Sequence, residues 1–241
     1  MENQDKTFST PLISGLYQPP PYHYLESPAV MVQFETEPKV LRTLVPEPLV
    51  PNEHNHMFVS VSDFVCSGFG RYLELHVFTH AWFRERLVNY SIYLVLDNDV
   101  ATGAGREIWG FPKKLGRLTL DLRDDVMRTT VERGGIVLVD AAVQIASPMS
   151  PDDIHAPAEW VTRKKLPGVS AGAPPIADQL VATTLADVTI RDIHAGPATL
   201  RWGESPADQL SMIPVVRVLG GFSYRTGFVL GDGDVVHDYR A

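Results

Sequence analysis

The chain contains 241 residues, of which 44% are hydrophobic and 21% are charged. This balance is typical of a globular protein and excludes disorder as the state of the whole chain. The net charge is −8 and no long lysine and arginine cluster occurs, which argues against nucleic acid and anionic membranes as partners. No apolar run approaches the roughly 18 residues of a membrane-spanning helix. The polar N-terminus and the single cysteine, Cys66, therefore predict a cytoplasmic protein.

Strand-like segments dominate the chain from one end to the other. They alternate in polarity or are rich in β-branched and aromatic side chains. Helical patterns are few and fall at 38–44, 99–106 and 176–181. Many strands with few helices predict a predominantly β, α+β fold, and we expect a single domain over residues 1–241. The predicted strands are 30–35, 57–65, 72–79, 90–96, 117–123, 126–132, 136–145, 185–192, 197–202, 215–219, 223–230 and 234–238.

Three stretches are predicted as loops or turns. The proline-rich stretch 147–178 is the least regular part of the chain and is expected to be a long excursion. Within it, Arg163–Lys165 is expected to be a solvated charge run. Gly231–Asp234 is expected to form a hairpin turn, because Asp-Gly pairs suit positive backbone angles.

Several familiar catalytic patterns are absent from the sequence. His76 and His80 would share one face of a strand, but no nearby acidic residue completes a metal triad, so no metal site is predicted. The glycines of Gly103–Gly105 are not followed by the Lys-Ser/Thr of a phosphate loop. No Gly-x-Ser-x-Gly motif of a serine hydrolase occurs.

Two adjacent lysines, Lys113 and Lys114, follow a proline within the segment 105–116. Such a pair is either an exposed basic turn or a site of amine catalysis. A neutral lysine forms an imine with a ketone, and the protonated imine accepts electrons from a breaking C–C or C–H bond. An ordinary lysine has a pKa of about 10.4 and must be activated, by burial above all and by a neighbouring cation. In an extended segment the two side chains point to opposite faces, with Trp109, Phe111 and Leu115 as apolar neighbours.

This lysine segment resembles that of the acetoacetate decarboxylases. The resemblance is carried by Gly105–Glu107 and Pro112–Gly116, and it covers nearly the full chain. It implies a closed β-barrel with the lysine inside and a homo-oligomeric assembly. Further stretches that match the family in order and spacing are Ser9–Leu12, Val45–Leu49, Gly68–Glu74, Leu96–Asn98, Asp187–Thr189, Gly196–Pro197 and His237–Tyr239.

The resemblance also implies roles for individual residues. Lys113 occupies the position of the imine-forming lysine, and Lys114 that of the neighbour that lowers its pKa. Glu74 occupies the position of an active-site glutamate. Arg106 and Glu107 match as well and are expected to support the lysine segment.

Two positions depart from the family pattern. Ser27 stands where the decarboxylases carry an arginine near the substrate carboxylate, and Val59 stands at the position of a second glutamate. These departures predict a more apolar pocket without an evident acetoacetate clamp. Arg71 and Arg225 are candidate replacements for the missing cation. Tyr224 is a candidate proton donor, although a buried core tyrosine is the alternative interpretation.

Three functions remain open at this point. The first is decarboxylation of a β-keto acid, acetoacetate or a bulkier relative, through an imine on Lys113. The second is an aldolase-dehydratase or cyclase reaction of pyruvate or a related oxo-acid through the same imine. The third is a small-molecule binding protein that has lost turnover. The two imine reactions need no metal or organic cofactor, because the protonated imine on the lysine accepts the electrons.

Overall fold

In the computed structural model, residues 7–153 and 156–241 are described. Strands make up most of this part of the chain. Its α-helices are α1 (Pro38–Leu44) and α2 (Asp99–Ala104), with a π-helical turn at Gly105–Trp109 and 3₁₀ turns at Pro151–Asp153 and Leu210–Met212. The strands are β1 (Tyr22–Glu35), β2 (Leu49–Pro51), β3 (His56–Cys66), β4 (Gly70–Phe83), β5 (Arg86–Leu96), β6 (Lys113–Leu115), β7 (Arg117–Arg123), β8 (Val126–Arg133), β9 (Ile136–Gln144), β10 (Ser147–Pro148), β11 (Glu159–Leu166), β12 (Ala177–Gly196), β13 (Ala198–Trp202), β14 (Arg217–Leu230) and β15 (Asp234–Asp238).

Seven strands pair into a closed ring. Their order is β4-β3-β1-β14-β12-β11-β5, and pairing between β5 and β4 closes the circle. Strand β6 adds to β5, while β7, β8, β9 and β13 form a separate four-stranded sheet. Most pairs are antiparallel, but β11–β5 and β5–β6 are parallel. The closed, predominantly β fold with few helices confirms the predicted fold class.

The two faces of strand β1 have different surroundings, one in the hydrophobic core and one at a cavity inside the ring. Val30, Val32 and Phe34 are buried in the main hydrophobic core, which lies between the ring and the four-stranded sheet. The alternating residues Met31 and Gln33 line a cavity on the other side of the strand. Because successive side chains of a strand point to opposite faces, the ring carries a packed core on one face and a cavity on the other.

The predicted helix at 176–181 is wrong. Strand β12 begins at Ala177 and pairs with β11 from the start, with Ala177 opposite Leu166. Consecutive residues of this stretch are buried, Leu180 and Val181 among them. A strand buried on both faces loses its alternation and cannot be told from a helix by periodicity.

Two other local predictions are also corrected. Arg163–Lys165 belongs to β11, inside the stretch that was expected to be irregular, and Arg163 binds Asp178 on the neighbouring strand (Nε to Oδ1, 2.8 Å). The segment 231–234 does connect two strands, but it is not a hairpin turn, because β15 pairs with β12 and not with β14. The predicted helix at 38–44 is confirmed, and the one at 99–106 ends at Ala104. None of the helices in the described part of the chain is long and apolar enough to cross a membrane.

Candidate active site

The lysine segment follows the C-terminal end of a helix, where the chain reverses direction. Helix α2 is capped by Asn98, whose Oδ1 accepts a hydrogen bond from the Ala101 amide at 2.8 Å. The π-helical turn that follows ends at Gly110, which has a φ of 82°. A Cβ at Gly110 would lie 2.4 Å from Cα of Lys164, so only glycine fits this reversal. The chain then enters β6 at Lys113, which pairs with Leu94 of β5.

Four side chains fix the segment in place. Arg106 donates from Nη1 to the Lys113 carbonyl at 3.0 Å. Lys164 donates to the carbonyl of Ile108 at 3.0 Å. Further contacts come from the indole of Trp109, which donates to a backbone carbonyl at 3.1 Å, and from Glu107, which accepts from the hydroxyl of Tyr17. Arg106 and Glu107 therefore lie in the framework of the segment and not in the cavity.

Lys113 and Glu74 form a buried pair. The Nζ of Lys113 lies 2.8 Å from Oε2 of Glu74, and the two residues are 6% and 8% exposed. Strands β4, β5 and β6 bring them together, because Glu74 pairs with Leu96 while Leu94 pairs with Lys113. The ring of Phe111 lies 5.6 Å from Nζ and supplies an apolar wall.

Lys114 points out of the cavity, as alternation in an extended segment predicts. Its Nζ lies 2.6 Å from Oδ1 of Asp208 and 5.0 Å from the ring centroid of Tyr93. Asp208 also accepts hydrogen bonds from Tyr93 at 2.5 Å and from Arg133 at 3.1 Å. Burial opposes its ionisation, but these hydrogen bonds outweigh burial and lower the pKa of Asp208 to about 2. The charge of Lys114 is thus neutralised by a carboxylate on the far side of β6.

Neither of the two departures from the family pattern lines the cavity. The Ser27 hydroxyl donates to the carbonyl of Leu25 at 2.7 Å and accepts from the Val65 amide at 3.2 Å. Both of these hydrogen bonds are therefore made to backbone groups. Val59 lies in the main hydrophobic core, whereas its neighbours Phe58 and Ser60 line the cavity. Ser27 and Val59, which the resemblance aligns with two family active-site positions, are therefore not among the residues that line the cavity.

Lys113 and Glu74 both line a large, mostly apolar cavity. Its volume is about 590 Å³. Phe111 and Tyr224 are among the residues that line it, and burial raises the pKa of Tyr224 to about 12. The lining residues are Tyr24, Met31, Gln33, Phe58, Ser60, Ser62, Phe64, Glu74, His76, Phe78, His80, Asn89, Phe111, Lys113, Met149, Ala156, Pro157, Ala158, Trp160, Leu185, Val188, Ile190, Phe222, Tyr224, Thr226, Phe228 and Leu230.

Lys113 is the one lysine or arginine among the cavity-lining residues that the structure describes. The two candidate replacements for the missing arginine face elsewhere. Arg71 pairs with Asp63 on the outside of the ring (Nη2 to Oδ2, 2.6 Å), and Arg225 pairs with Glu26 (Nε to Oε1, 3.2 Å). A substrate carboxylate in this cavity would therefore meet no second cation from the described lining.

Sequence reasoning missed the position of His76 in the cavity. Leu94 of β5 pairs with His76 of β4 on one side and with Lys113 of β6 on the other. His76 and Lys113 therefore flank the same residue of β5. Burial, aided by the charge of Lys113, lowers the pKa of His76 to about 3, so its imidazole is neutral at physiological pH. Its ring stacks on Trp160 with the centroids 4.6 Å apart. The alternation of β4, which places His76 two residues from Glu74, is the signal that could have found it.

Comparison with known proteins agrees with this arrangement. The sequence profile of the family described as "Acetoacetate decarboxylase (ADC)" matches residues 9–240. The chain belongs to the acetoacetate decarboxylase family. It is 32% identical to acetoacetate decarboxylase 2 of Mesorhizobium japonicum, an alignment that covers 96% of this chain and 89% of the relative. It is 31% identical to the acetoacetate decarboxylase of Streptomyces nogalater, over 97% of this chain and 96% of the relative.

Solved structures share the fold. The acetoacetate decarboxylase of Legionella pneumophila superposes with a TM-score of 0.91 at 24% identity, covering 98% of this chain and 96% of that one. The enduracididine biosynthesis enzyme MppR, solved with a condensation product of pyruvate and imidazole 4-carboxaldehyde, superposes with a TM-score of 0.84 at 19% identity, covering 97% of each chain. Family membership and the named relatives confirm the predicted enzyme class, a carbon–carbon lyase of the carboxy-lyase type.

Proposed function

We propose that this enzyme decarboxylates a β-keto acid through an imine on Lys113. The observation that carries the proposal is the pair of Lys113 and Glu74, joined at 2.8 Å and buried in an apolar cavity. The family's named members, which are acetoacetate decarboxylases, support the same reaction. Imine formation on a lysine makes a ketone into an electron acceptor without any added cofactor.

The steps follow from the position of the two side chains. Transfer of a proton from Lys113 to Glu74 leaves a neutral amine, which adds to the β-carbonyl carbon. Glu74 then returns the proton to the carbinolamine hydroxyl, water leaves, and a protonated imine remains. The bond between the α-carbon and the carboxylate breaks, its electrons form the enamine, and CO₂ departs. Protonation of the enamine carbon and hydrolysis of the imine release a ketone and regenerate Lys113.

The electrostatics of the cavity favour loss of CO₂ over a reaction that keeps the carboxylate. A carboxylate bound here would lie in apolar surroundings close to Glu74, with no second cation from the described lining. Burial of an unpaired charge is costly, and decarboxylation removes that charge. The product of an aldolase-dehydratase reaction of pyruvate would retain its carboxylate, so the free-energy cost of burying that charge would remain.

The test is borohydride trapping with acetoacetate and pyruvate in parallel, followed by intact mass and peptide mapping. We expect an isopropyl group on Lys113 after incubation with acetoacetate, because the imine is reduced after CO₂ has left. We also expect CO₂ release to be lost in Lys113→Arg, which keeps the charge but cannot form the imine. Lys39→Arg, a change at an exposed surface lysine, is the matched control and should retain full activity.

Other outcomes separate the remaining functions. A carboxylate-bearing adduct with pyruvate, without the isopropyl adduct, would favour the aldolase-dehydratase reaction. Undiminished CO₂ release by Lys113→Arg would contradict the imine mechanism. The absence of an adduct with any keto or oxo acid would favour a binding protein.

A further inference from the structure

The cavity extends far beyond the reactive pair. Glu74 and His80 both line it and are six residues apart on β4. At about 3.3 Å per residue, their Cα atoms lie about 20 Å apart along the strand. On β5, the neighbour of Lys113 is Leu94 and the neighbour of His80 is Asn89, five residues away. Asn89 therefore lies well away from Lys113 along β5, and we call this part of the cavity its far end.

The volume of the cavity exceeds what a small keto acid needs. Cavities of roughly 300–1,000 Å³ hold drug-sized ligands, and this one measures about 590 Å³. A four-carbon acid bound at Lys113 would leave most of that space without contacts. Because protein interiors are otherwise closely packed, a pocket of this size inside the ring indicates a longer ligand.

The middle of the cavity is lined by a run of aromatic rings. Trp160 stacks on His76, and its centroid is 4.9 Å from that of Phe78. Phe78 in turn stacks on Phe58 at 5.0 Å, and Phe58 lies 4.6 Å from the ring of His80. These rings connect the reactive end with the far end and present apolar surface along the way. A saturated or aromatic chain would be buried against them.

The far end is polar but uncharged. Burial lowers the pKa of His80 to about 4, so its ring is neutral at physiological pH. The side-chain amide of Asn89 donates from Nδ2 to the carbonyl of Pro157 at 2.7 Å. A carbonyl only accepts, so this contact fixes the orientation of the amide and leaves Oδ1 as an acceptor. Asn89 is 2% exposed, and its Oδ1 has no hydrogen-bond partner among the described residues.

A buried acceptor without a donor costs free energy, and a ligand donor would remove that cost. We propose that the substrate is an elongated β-keto acid whose apolar chain runs along Trp160 and Phe78 and ends near Asn89 in an uncharged hydrogen-bond donor, such as a hydroxyl. This inference rests on the proposed decarboxylation for the reactive end of the ligand. The length, the apolar middle and the neutral donor follow from the cavity alone.

The first experiment measures kcat/KM for CO₂ release from acetoacetate, 3-oxohexanoate, 3-oxodecanoate and 10-hydroxy-3-oxodecanoate. We expect kcat/KM to rise with chain length, by up to about fourfold for each buried methylene. The hydroxylated acid should be preferred over the unsubstituted decanoate about tenfold, as expected for a donor that satisfies a buried acceptor. In Asn89→Leu the preference should reverse, because the hydroxyl then meets an apolar side chain.

The wild-type chain-length series does not depend on the folding of the Asn89→Leu variant. Equal or falling kcat/KM from acetoacetate to 3-oxodecanoate would overturn the proposed substrate class while the decarboxylase function stands. Equal turnover of the two decanoates by wild-type enzyme would overturn the donor at the far end.

A binding experiment keeps the two proposals distinguishable. The protein is the Lys113→Met variant, which cannot form the imine. The probe ligands are 2-nonanone and 9-hydroxy-2-nonanone, and acetone is the short reference. Tryptophan fluorescence is the readout, and Trp160→Phe identifies the signal that comes from the cavity. Tight binding of the long probes without turnover of any keto acid would support the ligand class and contradict the decarboxylase. Binding no tighter than that of acetone would overturn the inference.

Discussion

At the scale of single residues, Asp208 shows how the outer side of the site is stabilised. Its carboxylate is 4% exposed and accepts hydrogen bonds from Lys114, Tyr93 and Arg133. Its pKa falls from 3.8 to about 2 in the folded protein, because these bonds outweigh the opposing effect of burial. The difference between the folded and unfolded pKa contributes about 2 kcal/mol of stability at neutral pH.

We predict that Asp208→Asn lowers the free energy of unfolding by about 1–3 kcal/mol at neutral pH. The contribution of a carboxylate with a lowered pKa is fully present above its unfolded pKa of 3.8 and is lost as the pH falls through about 2. The difference between wild type and variant should therefore be constant near neutrality and shrink below about pH 4. Urea unfolding at several pH values measures it, with the exposed Asp121→Asn as control. A difference that grows on acidification would contradict the assignment.

Some site residues could be predicted from the sequence and others could not. Lys113, Lys114 and Glu74 were identified through the family resemblance, because the residues alone left the lysine pair as either an exposed basic turn or a site of amine catalysis. Val59 faces the core because its neighbours on β3, Ser60 and Ser62, share the cavity face with His76 and Glu74 of β4. A shift of one residue moves a side chain to the opposite face of the sheet, and no local pattern in β3 fixes that register.

At the scale of elements, the π-helical turn lies against the side chain of Lys113. Gly105 has helical backbone angles, so alanine fits its conformation. A Cβ at this position would lie 2.6 Å from Cδ and 2.7 Å from Cε of Lys113. The lysine side chain is flexible and would move aside, which would take its Nζ away from Glu74.

We predict that Gly105→Ala leaves the protein folded but lowers kcat/KM about 100-fold, since a displacement of about 1 Å in a reacting group costs a factor of this size. Gly103→Ala is the matched control, because a Cβ there meets only the tip of Leu16 and the aromatic edge of Tyr17. Circular dichroism checks the fold, and the rate of borohydride trapping measures access to the amine. Equal activity of the two variants would show that the position of Lys113 is not limiting.

At the scale of the whole molecule, the closed ring was predictable only through family resemblance. Strand composition indicated a β-rich fold, but closure depends on the β4–β5 pairing together with the parallel contact of β11 with β5. Trp160 pairs with Asn89 across that contact, although 71 positions separate them in the chain. Periodicity describes each strand by itself and contains no information about such partners.

The ring and the four-stranded sheet share one hydrophobic core. Leu138 and Val139 of β9 belong to the same buried cluster as Val30 of β1 and Val77 of β4. A shared core predicts that both sheets unfold together, as expected for a single domain over residues 1–241. A cavity opened on one side of this core should therefore destabilise the other side equally.

We predict that Leu138→Ala, at a position with no exposed surface, lowers the free energy of unfolding by about 2–5 kcal/mol for both sheets. In a Trp202→Phe background, the remaining indoles of Trp82, Trp109 and Trp160 lie outside the four-stranded sheet and report on the ring. Far-ultraviolet circular dichroism reports on both sheets. The midpoints from the two methods should shift together, whereas Leu122→Ala, at an exposed position of the small sheet, should change either midpoint little. If the fluorescence midpoint stayed in place while the dichroism midpoint fell, the two sheets would be separate folding units.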